Sequence, residues 1–296
     1  MKVPVPLQGA RLRKLLASMR EPRGWRRPAL PLVVAVLAVS AVVTVTGARS
    51  GIDNDAYERL IGNMRLLASD DFVGPAGTAP SSRLWRISTG PGPAPSLQQY
   101  STSPANVSTD GESHLRLTAR RAAGVTTSGR VDTSGKLDMS DGVVAARVMF
   151  PEGQGIHSSI SLMPSDVTST PSHTGERIQV FGMAGEPEKS TVGIAGTTDT
   201  PASTRQSTES VDAPLSIVTS YHTYWIHRQQ QLIELGIDGW VVRTFRASDL
   251  EPQQKWVFDK PMYLVLDVAV GDAVAGPPAP WVFPATMSID WVRSYQ

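Results

Sequence analysis

The sequence predicts an all-β sandwich of antiparallel strands preceded by one membrane-spanning helix. Three observations carry this expectation. Short stretches of alternating apolar and polar residues recur along the chain, and turn residues separate them at close intervals. Near the N-terminus stands one apolar run without a single charge.

Composition bounds the reading. The chain has 296 residues, 41% hydrophobic and 19% charged, with a net charge of +1. That is enough apolar material for a full core, and the low hydrophobicity and high net charge of disordered chains are absent. There is no cysteine, which excludes a disulfide framework and any Cys-ligated metal or redox centre. The near-zero net charge hides an asymmetry. Residues 1–28 carry eight basic side chains and one acid, whereas the rest is mildly acidic. An acidic body argues against a nucleic-acid partner, because phosphate binding needs a basic face.

Residues 1–28 are read as a basic cytoplasmic tail. Within it Leu12, Leu15, Leu16 and Met19 recur at helical spacing among Arg11, Arg13, Lys14 and Arg20. That pattern suits a basic amphipathic helix on an anionic leaflet, or simple orienting charge. Ala29 to Ala48 is uncharged; at about 1.5 Å per residue it reaches roughly 30 Å, the thickness of a bilayer core. It is read as a transmembrane anchor, with the remainder of the chain extracytoplasmic. The competing reading is a secretory signal cleaved after Thr46-Gly47-Ala48, against which stand the long charged flank and the length of the run. Residues 49–68 are read as a stalk, with a helix over 52–68 capped by Asp53 or Asn54.

From residue 69 to 296 the strand patterns take over. His114 to Arg120, Gly142 to Phe150, Glu234 to Ile237 and Tyr263 to Val270 are strand-like. Gly111, Pro151-Glu152-Gly153, Asp238-Gly239 and Gly271-Asp272 mark turns between them. Residues 195–214, rich in Thr, Ser, Ala and Pro, are read as an exposed loop. Asn106-Val107-Ser108 fits a glycosylation acceptor, a triplet that chance also produces. The five histidines lack metal-ligand spacing, so no metal or other cofactor is expected.

A set of short runs then occurs in one order. Asp70-Asp71-Phe72-Val73-Gly74-Pro75-Ala76-Gly77 comes first, followed by Trp85, Thr89-Gly90 and Tyr100. Asn106-Val107-Ser108, Leu115 to Arg121, and Thr127-Ser128-Gly129-Arg130-Val131-Asp132-Thr133 follow, then Gly142 to Gly155. His222-Thr223-Tyr224, Asp238-Gly239-Trp240, Trp256 to Pro261 and Phe283-Pro284 to Gln296 complete the series. In this order the chain resembles glycoside hydrolase family 16, the laminarinase and β-glucanase family, over about residues 69–296. The resemblance implies a concanavalin A-like jelly roll of two antiparallel sheets with a glycan cleft along one concave face.

It also implies where chemistry should lie. Retaining glycoside hydrolysis needs two carboxyl groups roughly 5–5.5 Å apart. The family supplies them from one strand as E-x-D-x-x-E. Side chains alternate along a strand, so the last Glu reaches the cleft only if a β-bulge adds one residue. Here the matching stretch is Gly175-Glu176-Arg177-Ile178-Gln179-Val180-Phe181-Gly182-Met183-Ala184-Gly185. Aligned on its hydrophobic residues, it places Arg177 at the nucleophile, Gln179 at the Asp and Gly182 at the acid/base. Glu176 is the fallback nucleophile only after a one-residue slip, which would turn it from its neighbours' face. Two cleft tryptophans of the family become His157 and Ser161, and a third becomes Arg228.

The expected function is therefore a membrane-anchored family 16 homologue without hydrolytic activity. It would bind a cell-envelope glycan or polysaccharide through Arg177, Gln179, His157 and Arg228. The alternatives are an active β-glucanase using Glu176 with Asp267 or a water, and a structural partner of an envelope-polysaccharide enzyme.

Overall fold

The computed structural model describes residues 55–166, 175–197, 204–252 and 254–296. The basic tail, the Ala29–Ala48 run and the expected Asp53 or Asn54 cap lie outside the described residues. Among the described residues no helix is long and apolar enough to cross a membrane.

The chain opens with helix α1 (Ala56–Ile61) and strand β1 (Leu66–Asp70). Short strands β2 (Arg86–Ile87), β3 (Gly90–Pro91), β4 (Gln99–Tyr100) and β5 (Val107–Thr109) follow. Then come β6 (Leu115–Ala122), β7 (Val125–Ser128), β8 (Arg130–Asp132), β9 (Gly142–Met149), β10 (Ile156–Pro164) and β11 (Arg177–Ala184). The last third holds β12 (Ser190–Thr197), β13 (Thr204–Ser210), β14 (His222–Gln229), β15 (Leu232–Ile237), β16 (Trp240–Arg246), β17 (Met262–Val270) and β18 (Ala285–Tyr295). An eleven-stranded sheet runs β16-β15-β14-β9-β18-β6-β7-β4-β3, with β1 and β5 attached to β18 and β6. A seven-stranded sheet runs β13-β12-β11-β10-β17-β8-β2. Pairing is antiparallel except between β4 and β7.

Between the sheets lies one large apolar cluster. It takes alternate residues from each strand: Val144, Ala146 and Val148 from β9, Ile156, Ile160 and Leu162 from β10, and Leu264, Leu266, Val268 and Val270 from β17. This is the two-residue period that the sequence showed. A narrow apolar cavity lined by Leu84, Leu137, Leu162 and Leu264 belongs to this core.

Two expectations need correction. The helix read over 52–68 ends at Ile61, and Leu66–Asp70 is a strand. Gly62 and Asn63 interrupt the helical pattern, and β18 offers an edge, so Leu66 pairs with Tyr295 and Asp70 with Val292. The helix is no detached stalk: Tyr57 packs 6.3 Å from Trp225, and the Ala56 amide bonds to the Gly239 carbonyl at 3.0 Å. The second correction concerns 195–214. Its polar residues form the end of β12 and the edge strand β13, paired from Thr191↔Ser210 to Thr197↔Thr204. An edge strand needs little apolar surface, so its composition looks like a loop. Asn106 is buried, with its amide donating to the Thr118 carbonyl at 2.9 Å, so it is a structural residue and no glycan acceptor.

β11 carries an irregularity. Against β10 its register runs Gly182↔Ser159 and Phe181↔Ile160, then jumps to Gln179↔Ser161. Val180 is the extra residue of a β-bulge. Ile178, Val180, Phe181 and Met183 all enter the core, so two consecutive side chains point inward. Phe181 meets Tyr224 at 4.5 Å and Phe150 at 5.0 Å between ring centroids. Such ring pairs add about 0.5–1.5 kcal/mol beyond burial. Phe181→Ala is expected to cost about 3–5 kcal/mol of unfolding free energy, read as a lower urea midpoint; a loss below 1 kcal/mol would mean that the bulge is not anchored here.

Candidate functional site

With one face of the seven-stranded sheet packed on the core, the residues in between face outward. On β10 these are His157, Ser159, Ser161 and Met163, and on β17 Tyr263, Val265, Asp267 and Ala269. β8 adds Arg130 and Asp132. The bulge brings Arg177, Gln179 and Gly182 of β11 onto the same face despite their spacings of two and three. One row across the sheet reads Gly182, Ser159, Asp267, Arg130.

Asp267 is the hub of that row. Ser159 donates to its Oδ1 at 2.6 Å and Tyr100 to its Oδ2 at 2.9 Å. Gln98 completes the relay, donating to the Tyr100 hydroxyl at 3.1 Å and accepting from the Val270 amide at 2.9 Å. Arg130 lies over the Tyr100 ring, 5.8 Å from its centroid. Burial pulls the Arg130 pKa down, but Asp267 and its other neighbours outweigh this and raise it. Burial and Asp267 together push the Tyr100 hydroxyl far up, so it stays a donor.

Beside this hub two side chains close over the backbone of β11. Gly182 has no side chain, and a Cβ there would lie 2.6 Å from Gln179 Nε2 and 3.1 Å from His157 Nε2. The amide and the imidazole thus fill the space over Gly182, which only a glycine leaves them. Gln179 is held by donating from Nε2 to Thr191 Oγ1 at 2.6 Å and to the Thr191 carbonyl at 3.2 Å. His157 is held by Asp272, with Nδ1 2.6 Å from Oδ2. Asp272 sits just past Gly271, whose positive φ of +69° turns the chain back over the strip. Burial opposes the charge of Asp272, but the bond to His157 and the amides of Ala275 and Val274 outweigh it and lower its pKa. An ionised carboxylate only accepts, so Nδ1 carries a proton and Nε2 faces Gly182.

Arg177 completes the group. No salt bridge holds it among the described residues. Its pKa is lowered, first by burial and further by the charge of Arg130, while Asp267 and Asp272 act through space to raise it. It is a desolvated cation on the outward face of β11.

Six of the residues singled out from sequence therefore gather here: Arg177, Gln179, Gly182, His157, Ser161 and Asp267. Two do not. Glu176 forms an ion pair with Lys260, which also reaches Asp166 at 3.2 Å. One residue from Arg177 on an extended chain, it is turned away from the strip. Arg228 is a correction: it shares its side of β14 with Tyr224 and Ile226, which are core residues. There it donates to the carbonyls of Met139, Phe258 and Lys260 at 3.0, 2.7 and 2.8 Å. Burial pulls its pKa down to about 10, so it remains charged and ties two loops to the strand. The alternation Tyr224, Ile226, Arg228 was visible in the sequence. Asp272, Ser159 and Tyr100 were missed as site residues, and only the parity of Ser159 with His157 announced any of them.

Elsewhere, Asp110, Glu112 and His114 bring one potential ligand atom each within 4.8 Å of one another. Both Asp110 oxygens are already used inside that turn, by the Glu112 and His114 amides and by His114 Nδ1. Arg228→Met should take the guanidinium donor from the carbonyls of Phe258 and Lys260, while the Met139 carbonyl keeps the Met262 amide. At about 1–3 kcal/mol for each unsatisfied group, the expected loss is at least about 2 kcal/mol of stability, with ligand binding at the strip unchanged. Denaturant unfolding and a binding assay check this; loss of binding in the folded variant would return Arg228 to the site.

Two stacked, mainly antiparallel sheets with a polar strip along the outer face of one define a jelly-roll sandwich. Residues 96–293 match the model of Glycosyl hydrolases family 16, and the chain belongs to that family. It is 28% identical over 191 residues to a "Beta-glucanase" of Rhodothermus marinus, across 57% of this chain and 62% of that protein. It is 27% identical over 266 residues to "Glucan endo-1,3-beta-glucosidase A1" of Niallia circulans, across 80% of this chain and 38% of that protein. The chain thus spans less than two thirds of either relative's length. The crystal structure of the laminarinase catalytic domain from Thermotoga maritima superposes with a TM-score of 0.67 at 23% identity, covering 79% of this chain and 98% of that one.

Proposed function

We propose that this protein is a membrane-anchored, extracytoplasmic family 16 homologue that no longer hydrolyses glycosidic bonds and instead binds an acidic polysaccharide of the cell envelope. One observation carries the reading. The bulged strand presents Arg177, Gln179 and Gly182 outward, in the three places where the family's E-x-D-x-x-E pattern would put carboxylates. A protonated guanidinium does not attack an anomeric carbon, and glycine donates no proton. The remaining outward carboxylates are engaged: Asp267 with Tyr100 and Ser159, Asp272 with His157, and Asp132 with Arg86 and Ser88. The desolvated Arg177 suits a carboxylate or phosphate, which guanidinium binds in bidentate fashion.

The active-glucanase reading needs Glu176 as nucleophile, and its pairing with Lys260 on the other side of the strand speaks against that. Partnership with an envelope-polysaccharide enzyme would not call for a desolvated arginine facing outward. Membrane anchoring rests on the Ala29–Ala48 run behind its basic flank.

Laminarin, lichenan, agar and carrageenan are expected to remain uncleaved by the purified protein, measured as new reducing ends. Cleavage of a β-glucan that Glu176→Gln abolishes would replace this reading by the enzyme. Arg177→Ala is expected to weaken acidic-polysaccharide binding about 10- to 100-fold, the worth of one charge-assisted contact. Equal affinity in both forms would remove Arg177 from the site. N-terminal sequencing of the mature protein should find the tail intact; a start at Arg49 would show cleavage and end the anchor claim.

A further inference from the structure

We propose that Ser216, His222 and Asp238 form a nucleophile, base and carboxylate that together hydrolyse a carboxylic ester. This is a second site, apart from the strip and independent of the glycan reading above. His222 opens β14 in the eleven-stranded sheet and pairs with Val148, on the side of the strand that carries Tyr224 and Ile226. The strip lies on the outer face of the other sheet.

The order of contacts is that of an activated nucleophile. Ser216 Oγ lies 2.8 Å from His222 Nε2, and His222 Nδ1 lies 2.7 Å from Asp238 Oδ2. Burial opposes the charge of Asp238, but the bond to His222 and the Thr223 amide outweigh it and lower its pKa. An ionised carboxylate only accepts, so it holds the ring proton on Nδ1. Nε2 is then the acceptor, and the Ser216 hydroxyl donates to it. A serine hydroxyl alone is a weak nucleophile, and an adjacent base is what activates it.

The backbone holds the outer two members in place. Ser216 belongs to a 3₁₀ turn, Leu215–Val218, whose Ile217 is fully buried. The Ser216 carbonyl accepts from the amides of Thr219 at 2.9 Å and Ser220 at 2.7 Å. Asp238, in the turn between β15 and β16, accepts at Oδ1 from the Thr223 amide at 2.9 Å, and its carbonyl accepts from Trp225 Nε1 at 2.7 Å. Ser216 and His222 are only partly buried, and Leu215, Thr219 and Ser220 around them are exposed, so the group opens to solvent.

The step consumes one water. Nε2 takes the Ser216 proton as Oγ bonds to the ester carbonyl carbon. The ester C–O bond then breaks, and the alcohol leaves with that proton. Water attacks the acyl-serine, giving a proton to Nε2; the acyl–Oγ bond breaks, Oγ recovers the proton and the carboxylic acid departs. An ester suits the site better than an amide because an alcohol leaves more readily than an amine. Asp238 is a positioning residue, since it acts through His222.

The test treats the purified full chain with a fluorophosphonate, which phosphonylates activated serines, and with p-nitrophenyl acetate as substrate. Peptide mass mapping is expected to place the phosphonyl group on Ser216, and p-nitrophenol should be released catalytically. Ser216→Ala, which removes one oxygen, should abolish both; Ser220→Ala, at an exposed neighbour, should change neither. Asp238→Asn keeps an acceptor for the Thr223 amide. It should lower kcat by about 10²–10⁴-fold with KM within about threefold, while circular dichroism shows the fold unchanged. An unlabelled Ser216, or turnover that folded Ser216→Ala does not lower, overturns the proposal. Label on Ser216 without turnover overturns hydrolysis. Full kcat in Asp238→Asn overturns the positioning role. Glycan binding at the strip is read separately through Arg177→Ala, so either reading can fail without the other.

Discussion

The site depends on one extra residue in β11. A regular strand starting with Ile178 inward would send Val180 and Gly182 to the core and Phe181 outward. Instead Val180 and Phe181 both point inward, and the register against β10 and β12 shifts around them. The inward step is held by apolar burial and by the contacts of Phe181 with Phe150 and Tyr224. Outward, the consequence is that residues 177, 179 and 182 share a face. The local backbone of the polar strip is thus set from its hydrophobic side, which is the side that tolerates change least.

Charge on the outer strip is arranged by neighbours in the same low-dielectric setting. Asp267 is engaged by Ser159 and Tyr100, and Arg130 balances it on the next strand. Asp272 is engaged by His157. Arg177 is the cation with no such close partner among the described residues, and desolvation strengthens whatever anion reaches it. Arg228 illustrates the opposite use of the same side chain. It is enclosed behind β14, where its two terminal nitrogens donate to three backbone carbonyls, so it organises loops.

Much of the architecture was legible as alternation. The strands around Leu115, Val143, Leu235 and Leu264 stand where period-two patterns placed them, and Gly271-Asp272 is a turn. The failures share a cause. Leu66–Asp70 is a strand because β18 pairs with it, and Thr204–Ser210 is a strand because β12 does. Neither segment states its partner in its own composition. In the site, residue parity served well for Arg177, Gln179 and Gly182. It would have served for Arg228 too, since Tyr224 and Ile226 mark that parity as the core face.

By itself, then, the sequence determined the family resemblance, the face on which most strand residues lie, and the pair Val180-Phe181 whose joint burial makes the bulge. It could not say which residues meet. His157 finds Asp272 across 115 positions of chain, and Ser159 finds Asp267 across 108. Those meetings follow from β10 lying between β11 and β17, and from β17 pairing in turn with β8, an order unlike that of the chain. Local periodicity encodes which way a side chain points. Strand order and register decide what it points at, because they are set by the packing of two whole sheets on one core.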